Sequence, residues 1–110
     1  MIYHIVAEPD WRAACAQGSY RPPSLEQEGF VHFSYLDQVA RTANARFRDQ
    51  ADLLVVEVDP ARLADPVVDE DLYGSEEEFP HVYGAIATAA AVGEHRLSRT
   101  PSGEFSFQPG

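Results

Sequence analysis

The chain has 110 residues, a net charge of −10, a pI near 4.6, one cysteine, and eight basic residues that are all arginine. This length predicts a single domain, 1–110, with one core that buries roughly two-thirds of the unfolded chain's surface. The acidic charge predicts repulsion of phosphate backbones and anionic lipid headgroups, so bulk nucleic acid and membrane surfaces are not expected partners. One thiol excludes an internal disulfide and a thiolate zinc knuckle.

In chain order, Ile2-Tyr3-His4-Ile5-Val6 reads as a strand, with Ile2, His4 and Val6 on one face and Tyr3 and Ile5 on the other. The same segment lacks the basic and apolar regions of a signal peptide, and no later apolar run reaches the roughly 20 residues of a membrane span, which predicts a cytoplasmic protein. Glu8-Pro9-Asp10 signals a helix start, Trp11, Ala14 and Cys15 form its apolar face, and Gly18 ends it. The segment 19–28, with Pro22-Pro23, reads as a loop in which Ser24 can cap one helical turn.

Phe30-Val31-His32-Phe33-Ser34 is expected to be a second strand, with His32 and Ser34 facing the same way. Leu36, Val39, Ala40, Ala43 and Phe47 recur at helical spacing and predict a second helix. Leu53-Leu54-Val55-Val56-Glu57-Val58 is nearly continuous in apolar residues, the pattern of a strand covered on both faces. Pro66-Val67-Val68 opens a further strand, and the six acids among residues 69–78 read as a solvated loop. A turn near Gly84 is followed by a strand through Leu97, a turn over Thr100-Pro101-Ser102-Gly103, and an edge strand over Glu104-Phe105-Ser106-Phe107.

The four histidines are the residues best suited to chemistry near neutral pH. His4 and His32 each sit in the middle of a short apolar strand, where an unpartnered polar ring costs roughly 1–3 kcal/mol. A satisfied core histidine explains either one alone; adjacent strands presenting both to one cleft explain the pair. Ser34 adds a hydroxyl on the His32 face, and His81 and Tyr83 repeat the i, i+2 relation if their segment is extended. His95, beside Glu94 and Arg96, reads as a surface histidine. No compact ligand spacing indicates a metal, and neither a phosphate loop nor a nucleophile elbow is present.

Tyr3-His4, Trp11, Ser24-Leu25, Glu28-Gly29-Phe30-Val31-His32-Phe33-Ser34, Gln38 and Phe79-Pro80-His81-Val82-Tyr83-Gly84 resemble, in order and spacing, the domain-of-unknown-function 952 family over nearly the whole chain. That family is similar to the ADP-ribosyltransferase fold, and the resemblance implies an α+β fold. Its parts would be split antiparallel β-sheets, two or three peripheral helices, and a central cleft that takes NAD. Tyr3-His4 and Gly29 through Ser34 resemble the two histidine motifs of the RNA 2′-phosphotransferase branch. By that resemblance His4 bonds an NAD ribose beside Tyr3, His32 sits at the nicotinamide end, and Ser34 assists. His81 and Tyr83, a polar-aromatic pair between Pro80 and Gly84 with little reason to serve core packing alone, are expected to border the same cleft. No residue matches the transferase glutamate that steadies the ribose cation; Glu70, at the end of the Val67-Val68 run, is the candidate for that role.

The reading that follows is an NAD-dependent ADP-ribosyl transfer or hydrolysis enzyme with His4, His32 and Glu70 as catalytic residues. The alternative is a non-catalytic module that binds a nucleotide or small metabolite in the same cleft, and a third reading makes the acidic 69–78 segment a protein-interaction surface.

Overall fold

In the computed structural model, which describes residues 1–108, strand β1 (Ile2–Ala7) runs directly into helix α1 (Glu8–Gln17). Pro9 lies in the first turn, where its missing N–H is not needed, and Gly18 closes the helix in the left-handed region at φ 79°. Strand β2 (Ser19–Tyr20) leads to helix α2 (Pro23–Glu28), which Gly29 ends at φ 87°. Then come β3 (Val31–His32), a 3-10 turn (Leu36–Gln38), helix α3 (Val39–Arg46) and β4 (Leu53–Val58). Six more strands follow, β5 (Val67–Glu70), β6 (Phe79–Val82), β7 (Ile86–Ala87), β8 (Ala91–Arg96), β9 (Ser98–Arg99) and β10 (Phe105–Ser106), with 3-10 turns at Pro60–Arg62 and Thr88–Ala90.

The fold is therefore α+β, with several antiparallel sheets and few helices. One three-stranded sheet has the order β1-β4-β8 and places His4 opposite Val56. The other has the order β3-β6-β5 and places His32 opposite His81. A single backbone pair joins them: Tyr3 N–H donates to the Ser34 carbonyl at 2.8 Å, and Ser34 N–H returns to the Tyr3 carbonyl at 2.7 Å. Beyond that pair the sheets part, and the opening between them becomes the cleft.

The near-continuous apolar run of β4 is explained by burial on both sides. Leu54, Val56 and Val58 join Ile2 and Val6 against Trp11 and Ala14 of α1, with Val31, Phe33, Val82 and Ile86 from the neighbouring strands. On the opposite face Leu53 and Val55 join Tyr3 and Ile5 against Val39 and Ala43 of α3 and Phe105. The period of two along each strand thus feeds two cores, each secured by a helix. Trp11 buries its ring and donates its Nε1–H to Glu94 at 2.9 Å, which satisfies the one polar atom the indole carries.

Several sequence expectations are corrected. Cys15 is exposed, because the sheet covers only the narrow stripe of α1 through Trp11 and Ala14. Leu36 is 49% exposed: it lies in the 3-10 turn, whose tighter pitch rotates it away from the face that Val39 and Ala43 share on α3. Pro22, not Ser24, stands at the N-cap of α2, since Pro23 is preorganised for the first helical position. The second strand is shorter than the five residues expected, being Val31–His32 with Ser34 paired separately. His95 is half-buried, with Nε2 held by Glu57 at 2.8 Å. No helix among the described residues is long and apolar enough to cross a membrane.

The acidic segment also differs from a solvated loop. Asp69 and Glu70 belong to β5. The Asp71 carboxylate accepts from the N–H groups of Ser75 and Glu76 at 2.9 and 2.8 Å and so folds the segment into a turn. Glu77 accepts two bonds from Arg41, at 2.8 and 2.7 Å, and one from the Gln38 amide at 3.0 Å. Gln38 is oriented for this by the backbone N–H of Tyr35, which its Oε1 accepts at 2.9 Å.

Candidate functional site

A cavity of about 390 Å³ opens where the sheets part, within the usual range of small-molecule pockets. Its walls come from β1 (Tyr3, His4, Ile5), the β3 region (His32, Phe33, Ser34), α3 (Arg41, Thr42, Ala45, Arg46), the acidic turn (Tyr73, Ser75, Glu77) and β6 (Phe79, His81), with Phe47 beyond α3. Tyr3, His4, His32, Ser34 and His81, all singled out in the sequence, therefore border one space. Glu70 and Tyr83 do not line it; they stand behind His81.

His4 is the most constrained of these. Its Nδ1 is 2.5 Å from the His32 carbonyl, which can only accept, so the proton is on Nδ1. Its Nε2 is then the acceptor for the Tyr20 hydroxyl at 2.6 Å. Desolvation pushes its pKa down to about 4, against a weaker upward pull from the His32 carbonyl, so the ring is neutral at physiological pH. The rings of Tyr20 and Phe33 fix its plane. With both nitrogens engaged inside the protein, His4 ties β1 to β3 and keeps neither nitrogen free for a ligand.

His32 and His81 are held differently. His32 donates Nε2–H to Glu28 at 2.7 Å, and Glu28 also accepts from the Tyr73 hydroxyl at 2.6 Å. These two bonds, Tyr73 first, hold the Glu28 carboxyl below its ordinary pKa. His81 donates Nδ1–H to Glu70 at 2.9 Å, and Glu70 accepts from the Tyr83 hydroxyl at 2.5 Å. Glu70 is likewise held below its ordinary pKa, by Tyr83 and then His81. Two tyrosine-carboxylate-histidine chains thus converge, and the two imidazoles meet edge to face at 5.5 Å between centroids. Phe30 stacks on His81 at 4.0 Å and meets His32 edge to face at 4.8 Å, which locks both ring planes.

The rest of the lining is apolar apart from a few groups. Ser34 is buried, and its hydroxyl approaches that of Thr42 at 3.4 Å. Arg41 is neutralised by Glu77. Arg46 lays its guanidinium over the Tyr73 ring at 5.4 Å; it makes no direct ion pair among the described residues, and its charge helps to hold the nearby Glu28 carboxyl below its ordinary pKa. No group of three or more His, Cys, Asp or Glu side chains among the described residues is arranged to hold a metal.

Sequence reasoning missed Glu28, Tyr73, Arg46 and the Arg41-Gln38-Glu77 clasp. Glu28 carried a signal, standing four residues before His32, although α2 has ended by then and the Gly29 turn brings the two together. Tyr73 was concealed by its acidic surroundings. Nothing in the local pattern marks Arg46, whose role depends on where the turn at 71–77 folds back.

These features define a small α+β protein with a histidine-lined cleft between two antiparallel sheets. The chain belongs to the family described as protein of unknown function DUF952, whose pattern matches residues 5–94. The protein CC0527 of Caulobacter crescentus, in its crystal structure, is similar to it at 30% identity and TM-score 0.82, covering 96% of this chain and 92% of that one. A double mutant of CC0527 gives 29% identity with the same coverage and TM-score 0.82. The solution NMR structure of CC0527 gives 31% identity and TM-score 0.80, covering 94% and 89%. No curated protein matches the chain.

Proposed function

We propose that the cleft binds a nucleotide of the NAD class and that the protein catalyses ADP-ribosyl transfer or hydrolysis, as an ADP-ribosyltransferase-like fold implies. The observation that carries this reading is the convergence of Tyr3, His4, His32, Ser34 and His81 on one cavity of ligand size at the split between two antiparallel sheets. Arg46 supplies a cation for a phosphate at the rim, and the Phe33, Phe47 and Phe79 side chains supply flat apolar surface for a ring. In this reading His4 shapes the floor through its internal bonds, and Glu70 acts through His81.

One observation favours the non-catalytic alternative. Glu77 is the sole carboxylate in the lining, and Arg41 and Gln38 occupy it. No free carboxylate therefore faces the space where a ribose cation would form, as glycosyl transfer of the glutamate type requires. Turnover separates the readings, through the release of nicotinamide from NAD.

Binding is tested by thermal unfolding with NAD and with ADP-ribose. A ligand at about 100 times Kd stabilises the fold by about 2.7 kcal/mol, a rise in midpoint on the order of 10 °C for a domain of this size. The His32→Ala variant should lose most of that rise. An unmoved midpoint with both nucleotides at millimolar concentration would rule the nucleotide reading out.

A further inference from the structure

We infer that His81 is the general base of the cleft, presenting Nε2 to the bound ligand while Glu70 and Tyr83 position the ring from behind. The inference deepens the ADP-ribosyl reading and rests on it for the reaction served. Its geometry stands separately.

The His81 side chain is 2% exposed, yet its ring lines the cavity. Nδ1 is committed to Glu70 at 2.9 Å, and because an ionised carboxylate only accepts, the proton sits on Nδ1. Nε2 has no partner among the described residues. No buried side-chain nitrogen or oxygen there lacks a partner, so Nε2 must be the atom that meets open space. A neutral imidazole with its proton fixed on one nitrogen by a carboxylate, and its lone pair on the other facing a cleft, has the geometry of a general base. Phe30, stacked at 4.0 Å with planes 20° apart, keeps the lone pair aimed. The titratable groups facing the ring are Glu70 from β5, His32 from β3, itself bonded to Glu28, and Tyr83 just past β6.

In an ADP-ribosyl transfer, the acceptor's O–H proton passes to Nε2 and its oxygen lone pair forms the new bond to the ribose C1′. The electrons of the C1′–N bond leave with nicotinamide. The positive charge lost by the pyridinium reappears on the imidazolium of His81, where Glu70 offsets it. Glu70 and Tyr83 are positioning residues: they set the tautomer and touch no substrate.

The test combines ring-nitrogen NMR of the ligand-free protein with steady-state release of nicotinamide from NAD. The His81 ring should be the Nδ1–H tautomer, and Glu70→Gln, whose amide can donate to Nδ1, should shift it toward Nε2–H. His81→Gln should lower kcat at least about 100-fold with KM for NAD nearly unchanged. Glu70→Gln should give a smaller loss of kcat that follows the tautomer change. An Nε2–H tautomer in the wild type overturns the inference whether or not His81→Gln folds. Turnover of NAD that His81→Gln leaves intact overturns the base assignment and spares the ADP-ribosyl reading. The expected tautomer in a wild type that releases no nicotinamide sinks that reading and the catalytic role with it.

Discussion

Strand β1 of one three-stranded sheet and strands β3 and β6 of the other each carry a histidine, and they hold it in opposite ways. In β1 the His4 ring gives one nitrogen to the His32 carbonyl and the other to the Tyr20 hydroxyl, so its hydrogen-bonding capacity is consumed by the fold. In β3 and β6, His32 and His81 each give one nitrogen to a glutamate and keep the other. A mid-strand histidine in an apolar run is thus equally compatible with a structural tie and with a presented base. Partners that are distant in sequence decide between them: Tyr20 is 16 residues from His4, and Glu70 is 11 from His81.

The sharpest way to break this contrast is to remove each ring. His4→Ala should cost about 2–4 kcal/mol in urea unfolding, because it empties packed space and strands the His32 carbonyl and the Tyr20 hydroxyl. A loss below about 1 kcal/mol would mean that His4 is not a tie between the sheets.

The pH dependence of stability sharpens the same point. The folded-state pKa of His4 is depressed to about 4 from 6.5. The unfolded chain therefore binds a proton that the native state refuses, and the contribution of His4 is present in full above pH 6.5. It falls away as pH drops through the window from 6.5 to 4, by at most about 3–4 kcal/mol. His4→Gln, which cannot titrate, should show a correspondingly flatter profile across that window. Parallel profiles for the two proteins would contradict the neutral, buried state of His4.

Tyr20→Phe tests one half of the tie. It removes the donor to Nε2 alone and should cost about 1–2 kcal/mol, with the His4 ring still bonded to the His32 carbonyl. The smallest effect is expected on the other side of the comparison. His32→Ala breaks a half-exposed pair with Glu28 and should change the ligand-free stability by less than about 1 kcal/mol. A loss as large as that of His4→Ala would make His32 a structural histidine too.

The legible part of this protein was local. The strands β1 and β4, the helix α1 with its proline start and glycine end, and the Thr100–Gly103 turn all follow from periodicity and from φ preferences that neighbouring residues impose. Which histidines share a cleft was also approachable: strand alternation put Ser34 on the His32 face, and the resemblance pointed at His4 and His32, although alternation set Tyr3 on the face opposite His4 and Tyr83, also expected at the cleft, does not line it. Tertiary structure alone decided the rest. It placed Glu70 behind His81 instead of in the cavity, folded the acidic turn so that Tyr73 and Glu77 became walls, and laid Arg46 over the Tyr73 ring. Sequence spacing determines the face on which a side chain leaves its own strand or helix. Whether it meets a partner, a cavity or solvent there depends on register and closure between segments far apart in the chain, such as the backbone pair Tyr3 with Ser34 and the clasp of Gln38 and Arg41 on Glu77.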